Sequence, residues 1–359
     1  MQNKKSNQTR PENGARPLPP PCPKTRFFII TLALMLLASS WSWAGDLRLL
    51  RIGTGGKTGV YYPIGKLIAQ GLTGTGSVAS SAGSGENGVP GYIGVAQNSA
   101  GSVENVKKVT SGEIEAGMVQ ADIAFWAYRA DHIFTGNSRV RGIRAIAGLY
   151  PEKLQIVVRR DAKIQTMADL RGKRISIDEL GSGTLAVMRI VLAAHDLTEN
   201  DLQPVYLKPV FTQDKIVSGE LQGFAVMAGI PMAAVNQLLA VGICLVPVTP
   251  KIAAGINAQY PYLIPGQIPA GTYPGVPETP TLQVHALLVV DETMPDTLAY
   301  RITAALWSQR TLSLLRAGHP QGAAITPEAA LAGVSIPLHP GADKYYRENA
   351  ERFKAVHEK

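Results

Sequence analysis

Cysteine is nearly absent from this chain, with Cys22 and Cys244 the only two among 359 residues. Once an N-terminal segment carrying Cys22 is removed, no disulfide within the chain can form. A domain of this size can do without one because its core is large enough. Paired cysteines for redox chemistry are excluded by the same scarcity. The six histidines are scattered with no metal-like spacing between any two, so each reads as structural or surface. Aromatic residues make up 6% of the chain, and no basic stretch interleaves with them as nucleic-acid binding would want. Nucleophile elbows, zinc-protease helices, heptads and internal repeats are also missing.

Long apolar runs are missing too. Phe27 to Ala38 falls short of the roughly 18 residues a membrane span needs, and no later stretch approaches that length. Lys24 and Arg26 precede this run and Ser42-Trp43-Ala44 follows it, which predicts a secretory signal over residues 1–44, cleaved after Ala44. No twin arginine precedes it, so the general secretory route and a periplasmic destination are expected. Retention as an N-terminal anchor is the alternative, and Cys22 lies on the wrong side of the run for a lipoprotein-type one. Residues 1–44 carry six basic residues and one acidic one, so their loss takes the formal charge from +8 to +3. Most of the basicity belongs to the export segment, and the remaining length predicts two lobes.

What the chain does have is three loops of glycine and hydroxyl residues, each between a strand-like run and a helix-like stretch. They are Gly53 to Gly59 before Tyr61-Tyr62-Pro63, Gly101-Ser102 before Val103, and Gly181-Ser182-Gly183-Thr184. Glycine lets backbone approach a ligand, and free N–H groups at a helix start make a ready anion site. Repeated in two lobes, such loops imply a cleft that closes on a small anionic molecule, a binder's design more than an enzyme's.

Short β-rich runs alternate with helical patterns, which predicts parallel α/β architecture. Strands are expected at Leu47–Ile52, Tyr92–Gln97, Glu115–Gln120, Arg144–Tyr150, Leu154–Arg159, Arg174–Asp178, Leu202–Leu207, Gly223–Ala228, Ile243–Val248 and His285–Val290. Helices are expected from Pro63, over Ser102–Ser111, after Asp122 as a cap, over Leu185–His195 and Pro231–Leu239, and from Pro295 to about Ala317. Ser77 to Gly91 and Tyr260 to Pro280 read as irregular connections. Phe125 and Trp126 read as core. Chain order places 45–155 and 285–359 in lobe 1 and 156–284 in lobe 2, joined by a hinge.

Six segments in order, GTGGKTGVYYPIG from Gly53, GSVEN from Gly101, SGEIEAGMVQADIAFWAY from Ser111, GSGT from Gly181, AGIP from Ala228 and IPLHPGADKYYRE from Ile336, resemble the TAXI-type substrate-binding subunits of TRAP transporters. The resemblance runs from Leu47 to about Glu348. It implies a type II periplasmic-binding-protein fold that captures a small organic acid or amino acid, a dicarboxylate or a glutamate-like molecule, between its lobes. It also implies delivery, by a monomer, to a TRAP membrane permease driven by an ion gradient, with no cofactor and no chemistry. The ligand-binding residues it implies are Thr54, Gly56, Thr58, Gly59, Tyr62, Ser102, Gln120, Asp122, Ser182, Gly183, Thr184, Gly229, Pro231 and Met232. His339, in the last of these segments, is expected to shape C-terminal packing.

Two competing readings come from the same loops. Gly55-Gly56-Lys57-Thr58 lacks the leading glycine of a P-loop, Arg51 standing there. Gly181 to Ala186 fits a dinucleotide fingerprint, but the acid that should end the next strand is replaced by Lys208-Pro209. A dinucleotide-dependent oxidoreductase therefore stays as the alternative from another class, and a sensory receptor feeding a signalling kinase as a third. Plain helix capping is the bland reading of Ser182 and Asp122. Of Tyr61 and Tyr62, taken as an extended pair with rings on opposite sides, one should be core and Tyr62 is assigned to the cleft by the resemblance alone.

Overall fold

The computed structural model describes residues 47–74 and 86–353. The expected signal at 1–44 and residues 77–85 of the Ser77–Gly91 loop lie outside the described residues. The strands are β1 (Arg48–Gly53), β2 (Tyr92–Gln97), β3 (Ala116–Gln120), β4 (Ile143–Arg159), β5 (Arg174–Ser176), β6 (Gln203–Val205), β7 (Gly223–Ala228), β8 (Ile243–Leu245), β9 (Ile264–Ile268) and β10 (Thr279–Asp291). The helices used below are α1 (Tyr61–Leu72), α2 (Ser102–Ser111), α3 (Ala121–Arg129), α4 (Gly183–Ala193), α5 (Asp296–Leu306) and α6 (Gln309–Gly318).

Among the described residues the ten strands form one sheet, ordered β2-β1-β3-β10-β4-β7-β5-β6, with β8 on β4 and β9 on β10. The path contains the same unit twice. In the first lobe β2, β1 and β3 run parallel, β10 runs against β3, and β4 runs against β10. In the second lobe β6, β5 and β7 run parallel, β4 runs against β7, and β8 runs against β4. The long strand β4 serves both units, and β10 runs beside it. This two-lobed α/β arrangement is the periplasmic-binding-protein fold, and its topological echo has no counterpart as a repeat in the sequence.

Both faces of the sheet are covered, and period-two alternation sorts the strand residues between them. Ala286, Leu288 and Val290 of β10 join one apolar cluster with Ile64 and Ile68 of α1 and Ile302 of α5. Leu287 and Val289 face the other, with Val106 of α2, Trp126 of α3 and Met188 of α4. Ile64, Ile68 and Leu72 recur every four residues, which gives α1 the one buried stripe it needs.

Several elements differ from expectation for local reasons. The two runs at 144–150 and 154–159 are one strand of 17 residues, because Pro151-Glu152-Lys153 stays in register with His285, Val284 and Gln283 of β10. Tyr260–Pro280 contains β9, which pairs with Thr279–Gln283. Its proline and glycine hide the strand, and an edge strand tolerates both. The single helix expected from Pro295 is two, α5 and α6, separated at Trp307–Ser308, where the Ser308 hydroxyl accepts the Thr311 amide at 3.2 Å and starts the second.

Candidate ligand-binding site

At the carboxyl ends of the parallel strands, loops from both lobes face each other and enclose a cavity of about 70 Å³. Open α/β sheets bind ligands at this edge. The first lobe contributes the β1–α1 loop from Gly55 to Tyr61, the turn Ala100 to Ser102 before α2, and Gln120 at the end of β3. The second contributes Asp178, Ser182 to Thr184 at the start of α4, Lys208 and Pro209 beyond β6, Val226 to Ala228, and Met232. Glu152, midway along β4, completes the wall.

The lobes touch. Glu104 of α2 donates its amide to the Gly181 carbonyl at 3.1 Å, a backbone bond across the cleft. A Cβ on Gly183 would stand 2.3 Å from Gln120 Oε1, so a side chain here would have to push the end of Gln120 aside. The two lobes are therefore in direct contact beside the cavity.

Donors around the cavity come mainly from backbone. Tyr61, Ser102 and Gly183 begin α1, α2 and α4, and the leading N–H groups of a helix have no acceptor within it. Three starts converging on one space favour negative charge there. The hydroxyls mostly hold the loops in place. Ser182 Oγ accepts the Leu185 amide at 3.1 Å and caps α4. Thr184 Oγ1 accepts the Met227 amide at 3.1 Å, which fastens α4 to β7. Ser102 Oγ accepts the Gln120 amide at 3.1 Å.

Acceptors come from buried side chains. Glu152 is 1% exposed and takes the Tyr61 hydroxyl at 2.9 Å. Burial pushes its carboxyl well above the usual range, and the charge of Asp122 adds to the effect. Burial likewise raises the Tyr61 phenol, with the Glu152 charge next. Asp178 is pushed up to about 7 by burial, against the Glu179 amide and the Thr184 hydroxyl, which hold it down. Among the described residues Gln120 Oε1 has no hydrogen-bond partner. Among the described residues Lys208 is the one cation on the wall, and its Nζ lies 2.9 Å from Glu179 Oε1.

Of the residues expected at a ligand, Gly56, Thr58, Gly59, Ser102, Gln120, Ser182, Gly183, Thr184 and Met232 line this cavity. Five do not. Thr54 is fully buried and donates its hydroxyl to the Gln97 carbonyl at 2.8 Å, tying the first loop to β2. Tyr62 gives way to Tyr61: the pair opens a helix instead of lying extended, so Tyr62 turns toward Lys66, whose Nζ is 5.9 Å from its ring. Asp122 is not the cap of α3, since Gln120 holds that position. It is buried behind the wall, both carboxylate oxygens lack partners among the described residues, and burial raises it to about 7. Gly229 sits against Tyr150 and Val60, and Pro231 follows it in a turn held where Tyr273 accepts the Met232 amide at 3.0 Å.

Four wall residues with ionisable side chains, Tyr61, Glu152, Asp178 and Lys208, were missed. Glu152 had a signal, a polar break in the middle of an apolar run, but chain order alone could not place it at the crossing of the lobes. Asp178 takes a left-handed φ of 69°, a strain no sequence pattern shows. Lys208 entered only as an absent acid, and Tyr61 lost to its neighbour.

The sequence profile of the NMT1-like family matches residues 52–349. A solved structure from Bordetella bronchiseptica RB50 shares the fold at 17% identity and a TM-score of 0.50, covering 86% of this chain and 84% of its own. The periplasmic aliphatic sulphonate binding protein SsuA from Escherichia coli matches at 16% identity and a TM-score of 0.43, over 86% of this chain and 90% of its own. The alkanesulfonate-binding protein SsuA from Xanthomonas axonopodis pv. citri, bound to MOPS, matches at 15% and 0.39, over 87% and 94%.

Proposed function

The chain belongs to the NMT1-like family, and on that premise we propose that it is an exported solute-binding receptor, which closes over one small organic acid or amino acid and releases it to a membrane transporter. The observation that carries this reading is the cavity between the lobes: loops from two equivalent sheet units meet beside it, bonded from Glu104 to Gly181. Water leaves on closure, so hydrogen bonds to the guest strengthen.

Delivery to a TRAP permease rests on the motif resemblance. Uptake into vesicles carrying the candidate permease, driven by an ion gradient without ATP, tests that step. An oxidoreductase reading is disfavoured by the strand end that should carry the ribose-binding acid, where Lys208 and Pro209 stand on the cavity wall. Thermal-shift screening of C4–C5 dicarboxylates, amino acids and nucleotides separates the classes, because a ligand of the folded state raises its melting temperature. Stabilisation by an acid or amino acid supports the receptor; stabilisation by nucleotides alone overturns it.

A further inference from the structure

Asp178 occupies the place where the second lobe should receive an anion. Its carboxyl accepts the Glu179 amide at 2.9 Å, and the hydroxyls of Ser182 and Thr184, which accept amides on one side, are free to donate to it on the other. These contacts put the carboxyl beside the start of α4. The Gly183 and Thr184 amides there have no acceptor within the helix and attract negative charge. An anion that takes them meets Asp178, 8% exposed, on the same wall.

Among the described residues no cation on the wall stands ready to separate the two. Lys208 is held by Glu179 at 2.9 Å, and Glu104 of α2, which reaches Gly181, is held by Lys108 at 2.7 Å. Lys57 of the β1–α1 loop is exposed and off the wall. Tyr61 and Glu152 are the other titratable groups lining the cavity, and both are acids. Gln120 is 3% exposed, and its Oε1, close against Gly183, has no donor among the described residues. This corner therefore holds acceptors in excess, which is costly unless a proton is supplied. Two carboxylates sharing it would repel, whereas one proton between them makes a charge-assisted hydrogen bond.

We infer that Asp178 binds a proton together with an anionic guest and donates it to that guest in a hydrogen bond, so that the receptor takes up solute and proton as a unit. This deepens the receptor reading and rests on it, with the proton as a second ligand. Burial pushes Asp178 up to about 7 before any guest arrives. Below that value the proton is in place already. Above it the proton must come from water as the guest binds, so affinity falls as pH rises.

The probes are pyruvate, 2-oxoglutarate, succinate and L-glutamate, all with carboxylates ionised between about pH 6.5 and about pH 8.5. Those that raise the melting temperature go to calorimetry in two buffers of different ionisation heat. The expected result is an affinity that drops about tenfold or more across this range, with close to one proton taken up per guest at the upper end and fewer at the lower. Asp178→Asn keeps an acceptor for Glu179 and suits the left-handed φ of 69°, and circular dichroism checks its fold. It is expected to flatten the pH dependence of binding and abolish proton uptake, whereas Asp122→Asn, behind the wall, keeps both. A constant affinity, proton release, a slope that survives Asp178→Asn, or one lost in Asp122→Asn instead overturns the inference and leaves the receptor standing. Failure of all four probes to raise the melting temperature at any of these pH values overturns both.

Discussion

The two lobes share one strand order but divide the chemistry between them. In the first, the strand ends feed glycine-rich turns whose contribution is backbone N–H, from Gly55 to Tyr61 and at Ser102. In the second, the equivalent turns carry side chains, Asp178 after β5 and Lys208 after β6, with Ser182 and Thr184 spent largely on their own backbone. Topology is thus repeated where it supports the sheet and diverges at the cavity wall. On the proposed receptor reading, that difference lets the two jaws contact different parts of a guest.

The largest effect should come from blocking the meeting of the lobes. Gly183→Val places branched carbon where Gln120 Oε1 now stands 2.3 Å from a Cβ position. Ligand affinity is expected to fall at least a hundredfold by calorimetry, with small-angle scattering showing an opened molecule. A bound, compact variant would show that the contact is incidental.

Next comes pH. Asp122 and Asp178 sit near 7 against an ordinary 3.8, so the native state keeps protons that the unfolded chain gives up between those values. Their contribution is whole below the lower value and is lost as pH rises through the upper one. The ligand-free protein should melt several degrees lower at about pH 8 than at about pH 5.5, a loss of roughly 1–3 kcal/mol. Asp122→Asn should flatten the slope. A melting temperature that rises over this range would contradict the burial argument.

Thr184→Ala then separates jaw from scaffold. It strips the Met227 amide of its acceptor inside the second lobe, and should cost about 1–3 kcal/mol of stability in denaturant unfolding. Thr58→Ala in the first-lobe loop should leave stability within about 0.5 kcal/mol. Equal losses would erase the contrast between the two lobes. The smallest test compares neighbours: Tyr61→Phe should weaken binding several-fold by freeing Glu152, and Tyr62→Phe should change nothing measurable by calorimetry.

The alternation of strands and helices was legible because each element announces itself locally. Ser102–Ser111, Tyr92–Gln97 and Gly223–Ala228 emerge with the bounds that their periodicity and flanking glycines imply. The turns at Gly56–Gly59, Ser102 and Ser182–Thr184 were legible for the same reason. What was hidden depends on partners remote in the chain. Glu152 becomes part of the wall only because β10, some 130 positions later, lies beside it at Val284. Tyr61 and Tyr62 exchange roles because a helix separates consecutive side chains by about 100° and a strand by about 180°. Ser308 ends one helix and opens another where apolar spacing alone continues unbroken.

The link between the lobes is itself a pair of ordered strands, paired from Ile143–Asp291 to Lys153–Gln283 with register irregularities beside His285 and Leu288. Opening the clamp must therefore twist a ladder instead of swinging a slack tether, and the irregular rungs are where such a twist is cheapest. Glu152 sits one rung from the first of them. On the proposed receptor reading, a guest at the buried Glu152 carboxyl would therefore act beside the joint, with no relay between arrival and movement.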